Sequence, residues 1–160
     1  MSSTTAQDIR DARKRSKLMT GQEAVARYVR DGDTVYTGFN LVSMELANEM
    51  IREGRRNLKA VGASVVDNVT LLTVAGCVDR IESGYLSGAL NSPPFREMMA
   101  DGRVRYEDYT NMTMTLRLMA GAMGMPFVAA NSFMGTDYLT SDVMESPTGL
   151  SEERTRPDGT

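Results

Sequence analysis

The sequence predicts an open α/β domain, a mostly parallel sheet with helices on both faces. Three observations carry that prediction. Glycines recur at Gly32, Gly54, Gly76, Gly102 and Gly124, at steps of 22, 22, 26 and 22 residues. Each follows a helical pattern and precedes a β-rich run, the spacing of a short βα unit closed by a capping glycine. Two helix starts are also plain: Thr20-Gly-Gln-Glu23 is a capping box, and Ser92-Pro93 is a cap with proline at the first helical position. Strands that alternate with helices need crossover connections, and crossovers make the sheet parallel and cover both faces.

The first helix starts at Thr20 and turns Ala24, Val25, Tyr28 and Val29 inward. Ser43 caps the second, with Leu46, Ala47, Met50 and Ile51 inward, and Asp67 starts a third through Leu71, Leu72 and Ala75. The helix after Ser92 buries Phe95, Met98 and Met99. Thr110 or Asn111 caps the fifth, where Met112, Leu116, Met119 and Met123 fall at i, i+4, i+7 and i+11. Met112, Met114 and Leu116 also alternate as a strand would. Five strands are expected: Thr34–Phe39, Leu58–Ser64, Val78–Leu86, Val104–Tyr109 and Phe127–Ser132. Substrates of such sheets bind beyond the carboxyl ends of the strands. Those ends are Thr37–Asn40, Ala63–Val66, Tyr85–Gly88, Tyr109–Asn111 and Asn131–Gly135. Residues 1–16 read as a polar extension, 17–138 as the α/β domain, and 139–160 as a polar tail too poor in apolar residues to hold a core.

Composition narrows the chemistry. At 160 residues the chain is long enough for one domain with its own core. A net charge of −3 gives no reason to expect a nucleic-acid partner. The short basic clusters (Arg13, Lys14, Arg15, Lys17; Arg52, Arg55, Arg56) read as solvated helix ends. No apolar run is long enough to span a membrane and no signal-peptide pattern opens the chain, so the expected location is cytoplasmic, without membrane attachment. Cys77 is the single cysteine, which excludes an internal disulfide. It reads as a packed small apolar residue. There is no histidine, so Ser-His-Asp and Cys-His catalysis and the commonest zinc ligand are absent. Carboxylates, hydroxyls, Lys, Tyr or backbone groups must carry any reaction. The methionines concentrated between Met98 and Met134 read as core packing, with a soft interface as the alternative.

Several segments carry a resemblance. They are Lys17–Phe39 with its Asp31-Gly-Asp33 turn, Gly84-Tyr85, Pro94-Phe-Arg96, Asp101-Gly-Arg103, and Tyr109–Phe127 with Ala120-Gly-Ala-Met-Gly-Met-Pro-Phe127. In this order and spacing, from about Ser16 to about Tyr138, they resemble the alpha subunit of family I CoA-transferases of the glutaconate CoA-transferase type. The resemblance implies the CoA-transferase-like α/β fold, truncated or shortened, because the family's alpha subunits are longer. It implies an enzyme that moves CoA between carboxylic acids, with coenzyme A thioesters as substrates and no permanently bound cofactor or metal. In heteromeric members the thioester is attacked by a glutamate of the beta subunit, which ends the second strand of a similar fold. By strand order the matching position here is near Ser64. The resemblance therefore implies no catalytic residue in this chain, a beta-type partner, an oligomer, and inactivity alone.

Glu82-Ser-Gly84 is similar to the family's catalytic Glu-x-Gly but lies one strand later, so Glu82 stays the one candidate nucleophile against an ordinary structural reading. The acyl-CoA pocket is expected at Gly38, Phe39, Asn40, Ser64 and Gly88, where backbone amides face a developing oxyanion and glycines permit close approach. Thr37-Gly38-Phe39 stands where the family usually has Gly-Gly-Phe, and Ser43–Glu45 replaces a helix-starting proline. Acyl-CoA hydrolysis, decarboxylation or ring opening on the same scaffold, and a non-catalytic ligand-binding domain, are the alternatives.

Overall fold

A computed structural model describes residues 18–38, 43–132 and 134–136. Phe39, Asn40, the 1–16 extension and the 139–160 tail lie outside the described residues. Helix α1 (Gly21–Tyr28) leads to strand β1 (Thr34–Tyr36), then α2 (Met44–Arg52) and β2 (Leu58–Gly62). Next come α3 (Asp67–Val74), β3 (Val78–Ser83), a short α4 (Ser87–Leu90), α5 (Pro93–Ala100), β4 (Arg105–Asp108) and α6 (Asn111–Ala122). The four strands form one parallel sheet in the order β1-β2-β3-β4.

The expected signals act where the sequence places them. Thr20 Oγ1 accepts from Glu23 N–H while the Glu23 carboxylate accepts from Thr20 N–H, which fixes the start of α1. Gly54, Gly76, Gly102 and Gly124 each follow a helix at positive φ, and each ends it by the same closure. In each, the next residue's N–H returns to a carbonyl five residues back, as in Arg55 to Met50 and Cys77 to Leu72. Gly32 departs from the expected cap. It sits in the turn between α1 and β1, where Asp33 accepts from Arg30 N–H and Asp31 from Arg56 N–H, and so aligns β1 with β2.

One face of the sheet carries the aliphatic core. Leu58 and Ala60 of β2 and Val78 and Ile81 of β3 pack with Val69 and Leu72 of α3, Ala47 of α2 and Phe95 of α5. Cys77 lies within it, and burial pushes its thiol up despite the nearby Arg56. The other face is covered by α6 through the small cluster of Val61, Tyr109 and Met114.

Four expectations are corrected. Phe127–Ser132 is not a strand: it makes no ladder pairing with the described sheet, and Phe127 is exposed. A strand needs a neighbouring edge for its ladder, and apolar β-formers alone do not supply one. β3 ends at Ser83 rather than Leu86, and the chain turns into α4, so Gly88 lies in a helix and not at a strand end. Tyr28 is exposed, leaving Val25 as the buried residue of α1. In α6 the buried residues are Thr113, Met114 and Ala120, while Met112, Met119 and Met123 face outward.

Candidate functional site

The parallel sheet gathers the ends of its strands along one edge, where β1, β2 and β3 give way to loops. Thr37 follows β1 and donates its N–H to the Val61 carbonyl at 3.0 Å. Its own carbonyl accepts from Asn68 Nδ2 at 3.3 Å. Asn68 is buried at the start of α3, and its Oδ1 also accepts from Val69 N–H at 2.9 Å. One amide side chain thus ties the exit of β1 to the first turn of α3. That turn has Val66 as its cap, with no side-chain capping bond.

Two glycines make the edge dense. A Cβ at Gly62 would lie 2.9 Å from Thr37 Oγ1, and one at Gly84 would lie 2.7 Å from Asn111 N. The first contact lets the ends of β1 and β2 close together, and the second seats the start of α6 directly on the exit of β3. Thr110 and Thr113 cap that helix start reciprocally. Between them, Val65 N–H donates to the Tyr85 carbonyl at 2.7 Å, so the exits of β2 and β3 are also joined.

The sequence-predicted pocket residues distribute as follows. Gly38 stands directly after Thr37 with φ 75°. Ser64 lies beyond the end of β2 and is 2% exposed. These two belong to the edge just described, whereas Gly88 lies within α4. A cavity of about 60 Å³ opens between β1, α2 and α3, lined by Thr37, Ser43 and Asn68 on its polar side. That holds a few waters; ordinary ligand pockets measure roughly 300 Å³ or more. Among the described residues, no group of three or more Asp, Glu and Cys side chains is arranged to hold a metal ion.

Glu82 sits one residue before the end of β3, with its side chain toward α6. It is 0% exposed. Lys59 Nζ lies 3.0 Å from Oε1, Arg80 Nε 3.6 Å from the same oxygen, and Arg117 Nη2 of α6 lies 2.9 Å from Oε2. Close contacts from Lys59 and Arg117, both charged and hydrogen-bonding in character, hold the carboxylate in place. Burial alone would raise the carboxyl pKa; Lys59 and Arg117 outweigh it and hold the group below the usual carboxylate range. Beside it, Glu107 of β4 pairs with Arg80 and accepts from Tyr109 Oη at 3.0 Å, and Arg117 stacks 4.4 Å from the Tyr109 ring centre. Burial and Glu107 push the Tyr109 phenol well up, outweighing Arg117, so it stays protonated as the donor.

Sequence reading passed over Lys59, Arg80, Glu107, Arg117 and Asn68. A usable signal existed for the strand residues. Arg80 and Glu82, and Arg105 and Glu107, alternate at period two, which marks a sheet face carrying charge. Nothing local marked Arg117 or Asn68.

Known proteins share much of this chain. The family model described as Coenzyme A transferase matches residues 18–153. An uncharacterised protein of Archaeoglobus fulgidus is 35% identical over 139 residues, 81% of this chain and 31% of that protein. The A subunit of 3-oxoadipate CoA-transferase from Pseudomonas knackmussii is 30% identical over 129 residues, 76% of this chain and 46% of the relative. The A subunit of glutaconate CoA-transferase from Acidaminococcus fermentans is 30% identical over 127 residues, 76% and 40%. The crystal structure of that glutaconate enzyme superposes with a TM-score of 0.71 at 25% identity, covering 89% of this chain and 47% of the other. A cysteine-to-serine variant of the decarboxylase AibA/AibB superposes with a TM-score of 0.66 at 25% identity, covering 89% and 55%. The chain thus spans between about a third and a half of the curated relatives it matches.

Proposed function

The chain belongs to the coenzyme A transferase family, and from that premise we propose that it is the alpha-type part of an acyl-CoA transferase, completed by a beta-type partner that supplies the nucleophile. The observation that carries this reading is the match to the A subunits of two CoA-transferases over 76% of the chain. Two features support it. Ser64 stands near the position where the catalytic glutamate is expected, and Glu82 is enclosed by Lys59, Arg80 and Arg117 with no exposed surface. A buried carboxylate held at low pKa by Lys59 and Arg117 is a weak nucleophile, and no thioester can reach it.

In the proposed reaction the partner's glutamate attacks the acyl-CoA carbonyl, and the CoA thiolate leaves, giving an acyl–glutamyl anhydride. The thiolate then attacks the glutamyl carbonyl and the donor acid departs as its carboxylate. An acceptor carboxylate reverses both steps. Carboxylate, thiolate and acyl carbon exchange bonds, with no net proton or electron transfer. Gly38, Phe39, Asn40, Ser64 and Gly88 are assigned to the acyl-CoA side of this pocket, with the amides following β1 and β2 facing the oxyanion and Gly88 contributing from α4. Gly38→Val should weaken acyl-CoA binding by the assembled enzyme. We place the enzyme in the cytoplasm, with CoA moving between carboxylic acids.

The test is CoA exchange between a short acyl-CoA and a free acid, with the chain alone, the beta-type chain alone, and both. Exchange only in the mixture is the expected outcome; exchange by the chain alone would refute the division of labour. The likeness to AibA/AibB favours a second reading, decarboxylation of an acyl-CoA on this scaffold. Carbon dioxide release from an acidic acyl-CoA, with no transfer to a second acid, would select it.

A further inference from the structure

Asn68 does more than its helix requires. It is 3% exposed in the first turn of α3, where asparagine adds little to helix stability and an unbonded buried amide is costly. Its Oδ1 accepts from the adjacent Val69 N–H, but its Nδ2 reaches back 31 positions to the Thr37 carbonyl, at 3.3 Å. Serving the helix start needs only the first bond. The second completes the anchoring of Thr37. The Thr37 N–H and Oγ1 both donate to the Val61 carbonyl, at 3.0 and 3.4 Å, and Asn68 takes the remaining polar group. The Thr37–Gly38 peptide is trans. In a trans peptide the N–H points opposite to the preceding carbonyl, so the Gly38 N–H is aimed away from α3. It meets no acceptor among the described residues. Gly62 lets this peptide lie over the end of β2: a Cβ there would stand 3.5 Å from the Gly38 carbonyl oxygen and 3.4 Å from that of Ser64. Two of the assigned pocket residues thus flank one glycine.

We propose that Asn68 is a positioning residue for the reaction: it holds the Thr37 carbonyl so that the Gly38 N–H donates to the oxyanion formed when the acyl-CoA carbonyl is attacked. The inference rests on the alpha-type reading and adds the residue that orients one of its pocket amides. An oxyanion donor is effective because it is fixed before the reaction begins. Gly38, at φ 75°, has no side chain to restrain its own backbone. The sheet does not restrain it either, because the bonds between β1 and β2 stop at the Thr37 N–H. Asn68 is the group that grips the Thr37–Gly38 peptide itself. Without that grip the peptide is free to turn over and carry its N–H out of line, and the cavity of about 60 Å³ beside Thr37, Ser43 and Asn68 leaves room for the turn. The competing account is a brace between β1 and α3 with no bearing on the chemistry.

The test follows CoA exchange by the full chain mixed with a beta-type chain, for wild type and two variants. Asn68→Asp keeps the shape and the bond from Val69 N–H but, when ionised, sets an oxygen against the Thr37 carbonyl. Its kcat at alkaline pH should fall about 100-fold, the loss expected when a reacting group is displaced by about 1 Å, with KM for acyl-CoA unchanged. As pH falls and the new carboxyl takes up a proton, its O–H can donate to the Thr37 carbonyl, and kcat should return toward wild type. Asn68→Ser is too short to make the bond at any pH. It shares every other titrating group with Asn68→Asp, the neighbouring Asp67 included, and no Asp, Glu, Lys or Arg lines the cavity. It should lose as much and recover nothing on acidification. The split between kcat and KM in Asn68→Ser decides alone if Asn68→Asp does not fold. Wild-type kcat in Asn68→Ser, a loss confined to KM, equal losses in both variants at every pH, or losses that vanish once rates are referred to the folded fraction would each overturn the positioning role and leave the alpha-type reading standing. No exchange by the wild-type mixture would remove the alpha-type reading itself, and the role of Asn68 with it.

Discussion

The two faces of the sheet are built on different physics. On one, Leu58, Ala60, Val78 and Ile81 interdigitate with helices α2, α3 and α5, and Phe95 and Leu72 are fully enclosed. On the other, Lys59, Arg80, Glu82, Glu107 and Tyr109 form a charged layer under a single helix, held by Arg117 and the small cluster of Val61, Tyr109 and Met114. The first face supplies most of the fold's stability, because burial of apolar surface is worth far more than partly solvated ion pairs. The second is costly to build and leaves apolar side chains in water.

Substitutions should separate the faces in order of effect. Phe95→Ala empties a fully buried aromatic site on the aliphatic face and should cost about 3–5 kcal/mol, read as a fall in the urea midpoint. Glu82→Gln on the charged face should cost on the order of 2 kcal/mol, below the range for a wholly buried pair because Lys59 and Arg117 keep contact with water. Its pH dependence is specific. The Glu82 carboxyl is held below its ordinary 4.5 in the folded chain, so its stabilisation is present above that value and is lost as pH falls below it. Wild type and Glu82→Gln should therefore converge in stability on acidification below pH 4.5, and curves that stay parallel would contradict the ionised assignment. Gly84→Ala should cost about 1–3 kcal/mol by pushing its Cβ into the Asn111 backbone and lifting the start of α6, seen as faster hydrogen exchange confined to that helix. Met123→Glu should change stability by less than about 0.5 kcal/mol, since that side chain faces solvent.

Much of the fold was legible because several local signals agreed. The Thr20 capping box, the prolines after Ser92 and the glycine closures after α2, α3, α5 and α6 each encode one boundary with one mechanism. The orientation of α6 was not legible. Apolar residues occur all around it, so periodicity selects a stripe without saying which way the stripe faces. The deciding residue is Arg117, whose partner Glu82 lies 35 positions earlier in sequence. Phe127–Ser132 failed as a strand for a related reason: β-propensity is local, while a ladder needs a distant edge. At the strand exits, sequence pointed to Gly38 and Ser64 through the resemblance, but it could not show that Asn68 fastens β1 to α3 or that Gly84 carries the start of α6. Both depend on contacts between segments far apart in the chain.

The central claim is that this chain shapes a CoA-transferase site without owning its nucleophile. The most direct measurement is a CoA-exchange assay on the purified chain, followed by hydroxylamine trapping and mass spectrometry of the peptide containing Glu82. The account predicts no exchange by the chain alone, exchange once a beta-type chain is added, and an unmodified Glu82 in the working mixture. Exchange by the isolated chain with a hydroxamate on Glu82 would contradict it.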